Sequence, residues 1–254
     1  MLIAFDIGNT TIALGVFDGK TLIRHWRVRS DRDKTADEYG VILLNLLKFA
    51  GVDPGTLTAA IISSVVPPIT PNIQSLCRTM LRVKPLVVGP GLRTGMPILY
   101  ETPLEVGADR IVAAVAGYER HGGPCIVVDF GTATTFDAVS AKGEYLGGAI
   151  APGIQISAEA LYLKTAKLPR IEVRKPAGVI GKTTVASMQS GLYFGYVGLT
   201  TAIIAEIQKE LGGAARVVAT GGFGEQLAPE VKAIDVYEPH LVLEGLRIIY
   251  ERNR

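Results

Sequence analysis

An aspartate leads a glycine-containing polar turn twice in this sequence, as Asp6-Ile7-Gly8-Asn9-Thr10 and as Asp129-Phe130-Gly131-Thr132-Ala133. Each turn follows a short apolar strand signal (residues 2–5 and 125–128) and leads into a second apolar run. A carboxylate at a strand end can hold a cation or its waters. The glycine lets the backbone approach a phosphate, and Asn and Thr side chains supply short hydrogen-bond donors. Either turn alone reads equally well as a plain hairpin. The matched pair does not, because the aspartates stand 123 residues apart in a chain of 254, close to half its length. That spacing points to two similar lobes, each offering a phosphate loop to one cleft.

A third segment with chemical potential is Gly107-Ala108-Asp109-Arg110. Pro103 and the Thr102/Glu105 pair are helix-start signals just before it, which puts Asp109 near a helix N-terminus, where backbone amides favour negative charge. An aspartate in that field is a weak base, yet a positioned carboxylate can still take a hydroxyl proton. Arg110 suits a substrate carboxylate or a phosphoryl oxygen, and a helix-start ion pair explains the two residues equally well. Gly181-Lys182-Thr183 has the ending of a Walker A loop, but Pro176 stands where that motif needs glycine and no strong strand precedes it. It is not a P-loop.

The elements that must position these residues follow from periodicity and breakers. Strands are predicted at 2–5, 11–17, 21–28, 59–63 and 86–88, with a hairpin at Asp18-Gly19. Thr35 with Glu38 forms a capping box for a helix carrying Tyr39, Ile42, Leu43, Leu46 and Leu47, and Pro71 opens a second helix. The order is βββαβαβ. It repeats with strands at 125–128, 134–139, 145–150 and 216–220, a helix after Pro152-Gly153, a long helical pattern from about 184 to 211, and a closing helix over 241–252. The expected lobes are 1–118 and 119–254, joined by a helix through residues 111–118. Gly191, Gly195 and Gly198 are costly inside a helix and imply close approach of another backbone. Packing in the lobe's own core is favoured over a dimer seam.

With 48% hydrophobic and 20% charged residues and a net charge of +2, the chain has ample core and no basic stripe, so nucleic acid is not an expected partner. Cys77 and Cys125 sit in apolar segments without a ligand pattern and read as buried free thiols. Residues 194–204 form the most apolar run, far short of a membrane span, and the N-terminus reads directly into a strand. A cytoplasmic protein without a membrane partner is the expectation.

An Asp-x-Gly hairpin turn in each half, followed by a late Gly221-Gly222 after a strand, resembles the actin/hexokinase-type ATPase fold. That fold implies an α/β protein of two ribonuclease-H-like lobes with duplicated βββαβαβ topology, the late glycines bordering the adenosine. The resemblance narrows further. The Asp6 turn, Gly107 to Arg110, Asp129-Phe130-Gly131-Thr132-Ala133-Thr134-Thr135-Phe136-Asp137, and Gly147-Gly148-Ala149-Ile150-Ala151-Pro152-Gly153 together resemble the type III pantothenate kinases, over essentially the whole chain.

The resemblance implies ATP-dependent phosphorylation of pantothenate, with Asp109 as catalytic base. Tyr100, Gly107, Ala108, Asp109, Arg110 and Thr184 would contact the pantothenate. Asp6, Ile7, Gly8, Asn9, Thr10, Thr11, Ile12 and Ala13, with Thr132, would bind ATP. Asp6 is expected to hold Mg²⁺, directly or through water, and Asp129 a monovalent cation, K⁺ or NH₄⁺. A homodimer is implied as well. Two alternatives remain at this stage: a catalytically silent regulatory protein on the same fold, which intact Asp6, Asp109 and Asp129 argue against, and a kinase of another small hydroxy acid or sugar.

Overall fold

The computed structural model describes residues 1–254. It resolves into two compact units, and both are interrupted in sequence. The first comprises Met1–Met96, Glu101–Ala116 and Val242–Arg254; the second comprises Pro97–Tyr100 and Gly117–Leu241. Against lobes of 1–118 and 119–254, the C-terminal helix therefore belongs with the first unit and the short segment 97–100 with the second. Hydrophobic periodicity shows that a terminal helix has an apolar face, not which sheet covers it.

The first unit carries strands β1 (Leu2–Ile7), β2 (Thr11–Asp18), β3 (Thr21–Arg29), β4 (Ala59–Ser64) and β5 (Leu86–Val87), with helices α1 (Ala36–Phe49) and α2 (Thr70–Thr79). Sheet order is β3-β2-β1-β4-β5; β1 runs antiparallel to β2 and parallel to β4. The capping box forms as expected: Glu38 N–H donates to Thr35 Oγ1 at 3.3 Å, and Thr35 N–H donates to Glu38 Oε2 at 2.8 Å. Alternation along β1 sends Ile3, Phe5 and Ile7 into one core with Leu43, Leu47 and Leu76. Each such fully buried side chain contributes about 1.5–3 kcal/mol. The opposite face, which includes Ala4 and Asp6, is covered differently. Helix α3 (Ala108–His121) supplies Val112 and Ala113 to this unit, and Gly245, where a Cβ would collide with the Val112 carbonyl, lets the C-terminal helix approach.

The second unit repeats the plan. Strands β6 (Cys125–Phe130), β7 (Ala133–Val139), β8 (Tyr145–Pro152), β9 (Arg216–Thr220) and β10 (Val236–Tyr237) lie in the order β10-β9-β6-β7-β8. Counting from the first strand of each unit, this is the same order, and β6 is likewise antiparallel to β7 and parallel to β9. Helices α4 (Ile154–Lys164), α5 (Thr184–Glu210), α6 (Gly224–Leu227) and α7 (Leu241–Glu251) complete the chain, with all of α7 beyond Leu241 in the first unit. Phe130, Phe136, Tyr193 and Ile204 anchor the second core.

Helix α5 corrects one expectation. Its buried residues, among them Met188, Leu192, Tyr193 and Tyr196, occupy one face. Gly191, Gly195 and Gly198 lie on the other, exposed, and a Cβ at any of them would meet nothing within 4 Å. They do not serve packing within the unit. Glycine carries no hydropathy signal, so its side of the helix had to come from its neighbours. By length and composition α5 is also the one helix that could cross a membrane, with 33% of its most apolar window buried.

Candidate active site

In the first unit the candidate residues begin near the end of β1, where Asp6 is the last residue but one. Asp6 is half-buried and pairs with Ala13 across the hairpin, while Ile7 and Ile12 are 0% and 1% exposed. Of the eight residues expected to bind ATP here, these two can therefore offer only main-chain groups. Asn9, Thr10 and Thr11 are exposed at the tip. Gly8 N–H donates to the Thr11 carbonyl at 3.0 Å, and a Cβ on Gly8 would stand 3.1 Å from that oxygen. Ser30, just past β3, braces the turn: its N–H donates to the Thr10 carbonyl at 2.9 Å and its hydroxyl to the Gly8 carbonyl at 2.5 Å. Sequence reasoning missed Ser30, because only the β2–β3 register brings it to the turn.

Ser63 was missed too. It sits beside Asp6 in the β1–β4 register, is fully buried, and its Oγ has no hydrogen-bond partner. A buried hydroxyl of this kind costs stability unless something completes it. Together with the Asp6 carboxylate it makes a pair of oxygen donors at the carboxyl end of a parallel strand pair, suited to a hard cation or its water.

Asp109 lies in the first turn of α3, but the helix-start signals before it do something else. Pro103–Glu105 forms a separate single turn in which Thr102 makes no side-chain cap, and α3 starts at Ala108. The Asp109 carboxylate accepts the Arg110 N–H at 2.8 Å. Gly107 closes the arrangement: its carbonyl accepts from Arg110 and Ile111, and a Cβ there would stand 2.5 Å from Asp109 Oδ1. Burial raises the Asp109 pKa above its ordinary value, and the Arg110 hydrogen bond and charge oppose it only in part. A helix N-terminus on its own makes a carboxylate a weak base. Desolvation wins instead, and the carboxylate becomes a better proton acceptor.

In the second unit, Asp129 is the last residue but one of β6, as Asp6 is of β1. Gly131 N–H donates to the Ala133 carbonyl at 3.0 Å, as Gly8 does to Thr11. Thr132 is exposed at the tip. Two glycines buttress this turn. Gly221 has φ +93°, and a Cβ on it would collide with Asp129 Oδ1 and the Phe130 backbone. Gly153 precedes α4, donates to the Thr132 carbonyl at 3.1 Å, and leaves no room for a side chain beneath residues 131–132. The late glycine turn and the phosphate-type turn are thus one packed assembly, held also by the Tyr237 hydroxyl donating to the Gly221 carbonyl at 3.0 Å.

Tyr100 is 36% exposed and packs against Tyr145, ring centroids 6.4 Å apart. Thr184 is exposed at the first position of α5, capped by Thr183, whose hydroxyl accepts from Ala186 N–H at 3.1 Å. No strand separates α4 from α5, so Gly181-Lys182-Thr183 is a helix-entry turn. Cys77 and Cys125 are free, buried, and pushed up to about 12, so neither is a nucleophile.

A family model described as type III pantothenate kinase matches residues 2–206. The chain belongs to the type III pantothenate kinase family. Proteins of that name from Moorella thermoacetica and Geobacter sulfurreducens are 57% and 54% identical to it, over 253 and 254 residues and 100% of each chain. Among solved structures, a ROK hexokinase from Thermus thermophilus matches with a TM-score of 0.51 at 12% identity, covering 100% of this chain and 99% of the other. A Campylobacter jejuni protein titled a conserved putative Baf family transcriptional activator matches with a TM-score of 0.61 at 20% identity, covering 99% and 98%. At such identities the likeness is one of fold, that of the actin/hexokinase-type ATPases, and the activator title carries no function to this pantothenate kinase family member.

Proposed function

We propose that this chain transfers the γ-phosphoryl group of ATP to the primary hydroxyl of pantothenate, giving 4'-phosphopantothenate and ADP on the way to coenzyme A. The observation that carries the reading is Asp109, a half-buried carboxylate of raised proton affinity beside Arg110, in a chain of the type III pantothenate kinase family. The acceptor oxygen bonds to phosphorus as the bond to the β–γ bridging oxygen breaks, and the hydroxyl proton passes to Asp109. Arg110 pairs with a substrate carboxylate or a phosphoryl oxygen. Tyr100, Gly107, Ala108 and Thr184 complete the pantothenate contacts by family resemblance.

The turn from Asp6 to Ala13 and Thr132 hold the triphosphate, largely through main-chain amides and short hydroxyls. No group of three or more His, Cys, Asp and Glu is gathered to hold a metal. A Mg²⁺ ion would therefore rely on nucleotide oxygens and water, with Asp6 and Ser63 as the protein's share; it would supply charge neutralisation. Asp129, by family resemblance, would hold K⁺ or NH₄⁺. A homodimer seated on the exposed glycine face of α5 gives that face a use, and the cytoplasm fits the substrates.

A coupled assay of ADP release with and without pantothenate tests the reading directly. Pantothenate-dependent turnover is expected. Turnover with another hydroxy acid or sugar and none with pantothenate would give the acceptor to the rival kinase.

A further inference from the structure

Asp137 is a carboxylate with no place in the chemistry so far. It is 0% exposed, in the middle of a sheet, where an acidic group is costly unless its oxygens are satisfied. Its Oδ1 accepts the Tyr145 hydroxyl at 2.8 Å and its Oδ2 the Thr135 hydroxyl at 3.2 Å. Tyr145 is 0% exposed as well.

Tyr145 also grips a second segment. Its N–H donates to the Pro97 carbonyl at 2.9 Å, and its carbonyl accepts Leu99 N–H at 2.8 Å. Its ring lies 6.4 Å from that of Tyr100, tilted by 51°. Gly147, two residues on with φ +117°, leaves Tyr100 a flat place to rest, a Cβ there lying 3.4 Å from the ring. Residues 97–100 are the only part of the chain before Gly117 that clusters with the second unit. A four-residue strap is thus held by main chain and ring of one tyrosine, whose own tip is fixed by a buried carboxylate.

We propose that Tyr145, locked by Asp137, is a positioning residue that sets the posture of Tyr100 and thereby the affinity for pantothenate. This rests on the reading of Tyr100 as a pantothenate contact. A purely structural role for the pair would lower stability and impair ATP and pantothenate kinetics alike. Positioning acts on one substrate only.

The test combines Tyr145→Phe, which removes a single hydroxyl, with Tyr100→Ala in a double-mutant cycle. In Tyr145→Phe the KM for pantothenate rises on the order of tenfold, while kcat and the KM for ATP stay within about twofold. Exchange of the Leu99 amide, read by mass spectrometry on the ligand-free protein, accelerates by about tenfold or more. In the Tyr100→Ala background, Tyr145→Phe adds less than about twofold to the pantothenate KM. Asp137→Asn, which keeps a weaker acceptor for the phenol, raises the pantothenate KM about threefold and carries the test if Tyr145→Phe does not fold. A raised pantothenate KM in Tyr100→Ala with a wild-type value in folded Tyr145→Phe overturns this proposal alone, as does full additivity of the two. An unchanged value in Tyr100→Ala overturns the reading of Tyr100 and the proposal with it.

Discussion

Gly107 leaves the room that the Asp109 carboxylate occupies, since a Cβ on the glycine would stand 2.5 Å from Oδ1. The neighbouring Val65 side chain lies 3.5 Å from the same point. Gly107→Ala therefore displaces the carboxylate rather than the backbone. The expected result is a fall in kcat of about tenfold to a hundredfold with nucleotide affinity nearly unchanged, read by steady-state kinetics and calorimetry. Wild-type kcat in a folded Gly107→Ala protein would show that Asp109 needs no such placement.

Asp109→Asn keeps the size but cannot take a proton, so turnover should fall about a hundredfold or more while ATP still binds. Burial raises the pKa of this group, so the folded protein holds its proton more tightly than the unfolded chain. Ionised Asp109 then costs stability at neutral pH, and the cost is relieved as pH falls through the raised value. Two outcomes follow. Asp109→Asn melts higher than the parent at neutral pH, and the acid limb of the parent's kcat/KM profile lies above the ordinary carboxylate range. A mutant that melts lower would contradict the desolvation account.

Gly195 tests the proposed homodimer without disturbing the fold of the chain, because nothing lies within 4 Å of its Cβ position. Leucine there should raise helix propensity by roughly 0.5–1 kcal/mol. In sedimentation at assay concentration, Gly195→Leu should shift toward monomer with a parallel loss of activity. An unaltered, fully active dimer would remove α5 from the seam.

A carboxylate facing a polyphosphate is repulsive unless a cation lies between them. Activity with Mg·ATP should therefore rise steeply with K⁺ or NH₄⁺ and far less with Na⁺, and Asp129→Ala should remove the response. Equal rates of dialysed enzyme in Na⁺, K⁺ and a bulky organic cation would withdraw the role of Asp129.

Gly8→Val places a branched side chain at a point already 3.1 Å from the Thr11 carbonyl, on the surface a phosphate would approach. Loss of nucleotide binding in calorimetry is expected, with little change in the far-UV spectrum. Ser30→Ala, which removes the hydroxyl bond to the Gly8 carbonyl, should weaken ATP binding by about threefold to tenfold. Normal affinity in both variants would mean that this turn does not hold phosphate.

Nine of the ten strands, all but β10, the two Asp-x-Gly turns, the capping box at Thr35 and the extent of α5 were legible in the sequence. Each is written in local terms: a period of two or of 3.6 residues, a glycine where a turn must bend, a hydroxyl three residues before a glutamate. What only the tertiary structure decided depends on partners distant in sequence. Alternation could not show that Ser63 stands beside Asp6, because register relates two strands and not one. Composition could not say which way Gly195 faces, because a residue without a side chain has no preference to read. The proton affinity of Asp109 went the same way: a helix N-terminus is visible in the sequence and lowers a pKa, whereas the burial that raises it comes from the packing around α3. The apolar pattern determined which elements form, and the packing of those elements determined which polar atoms lost their water.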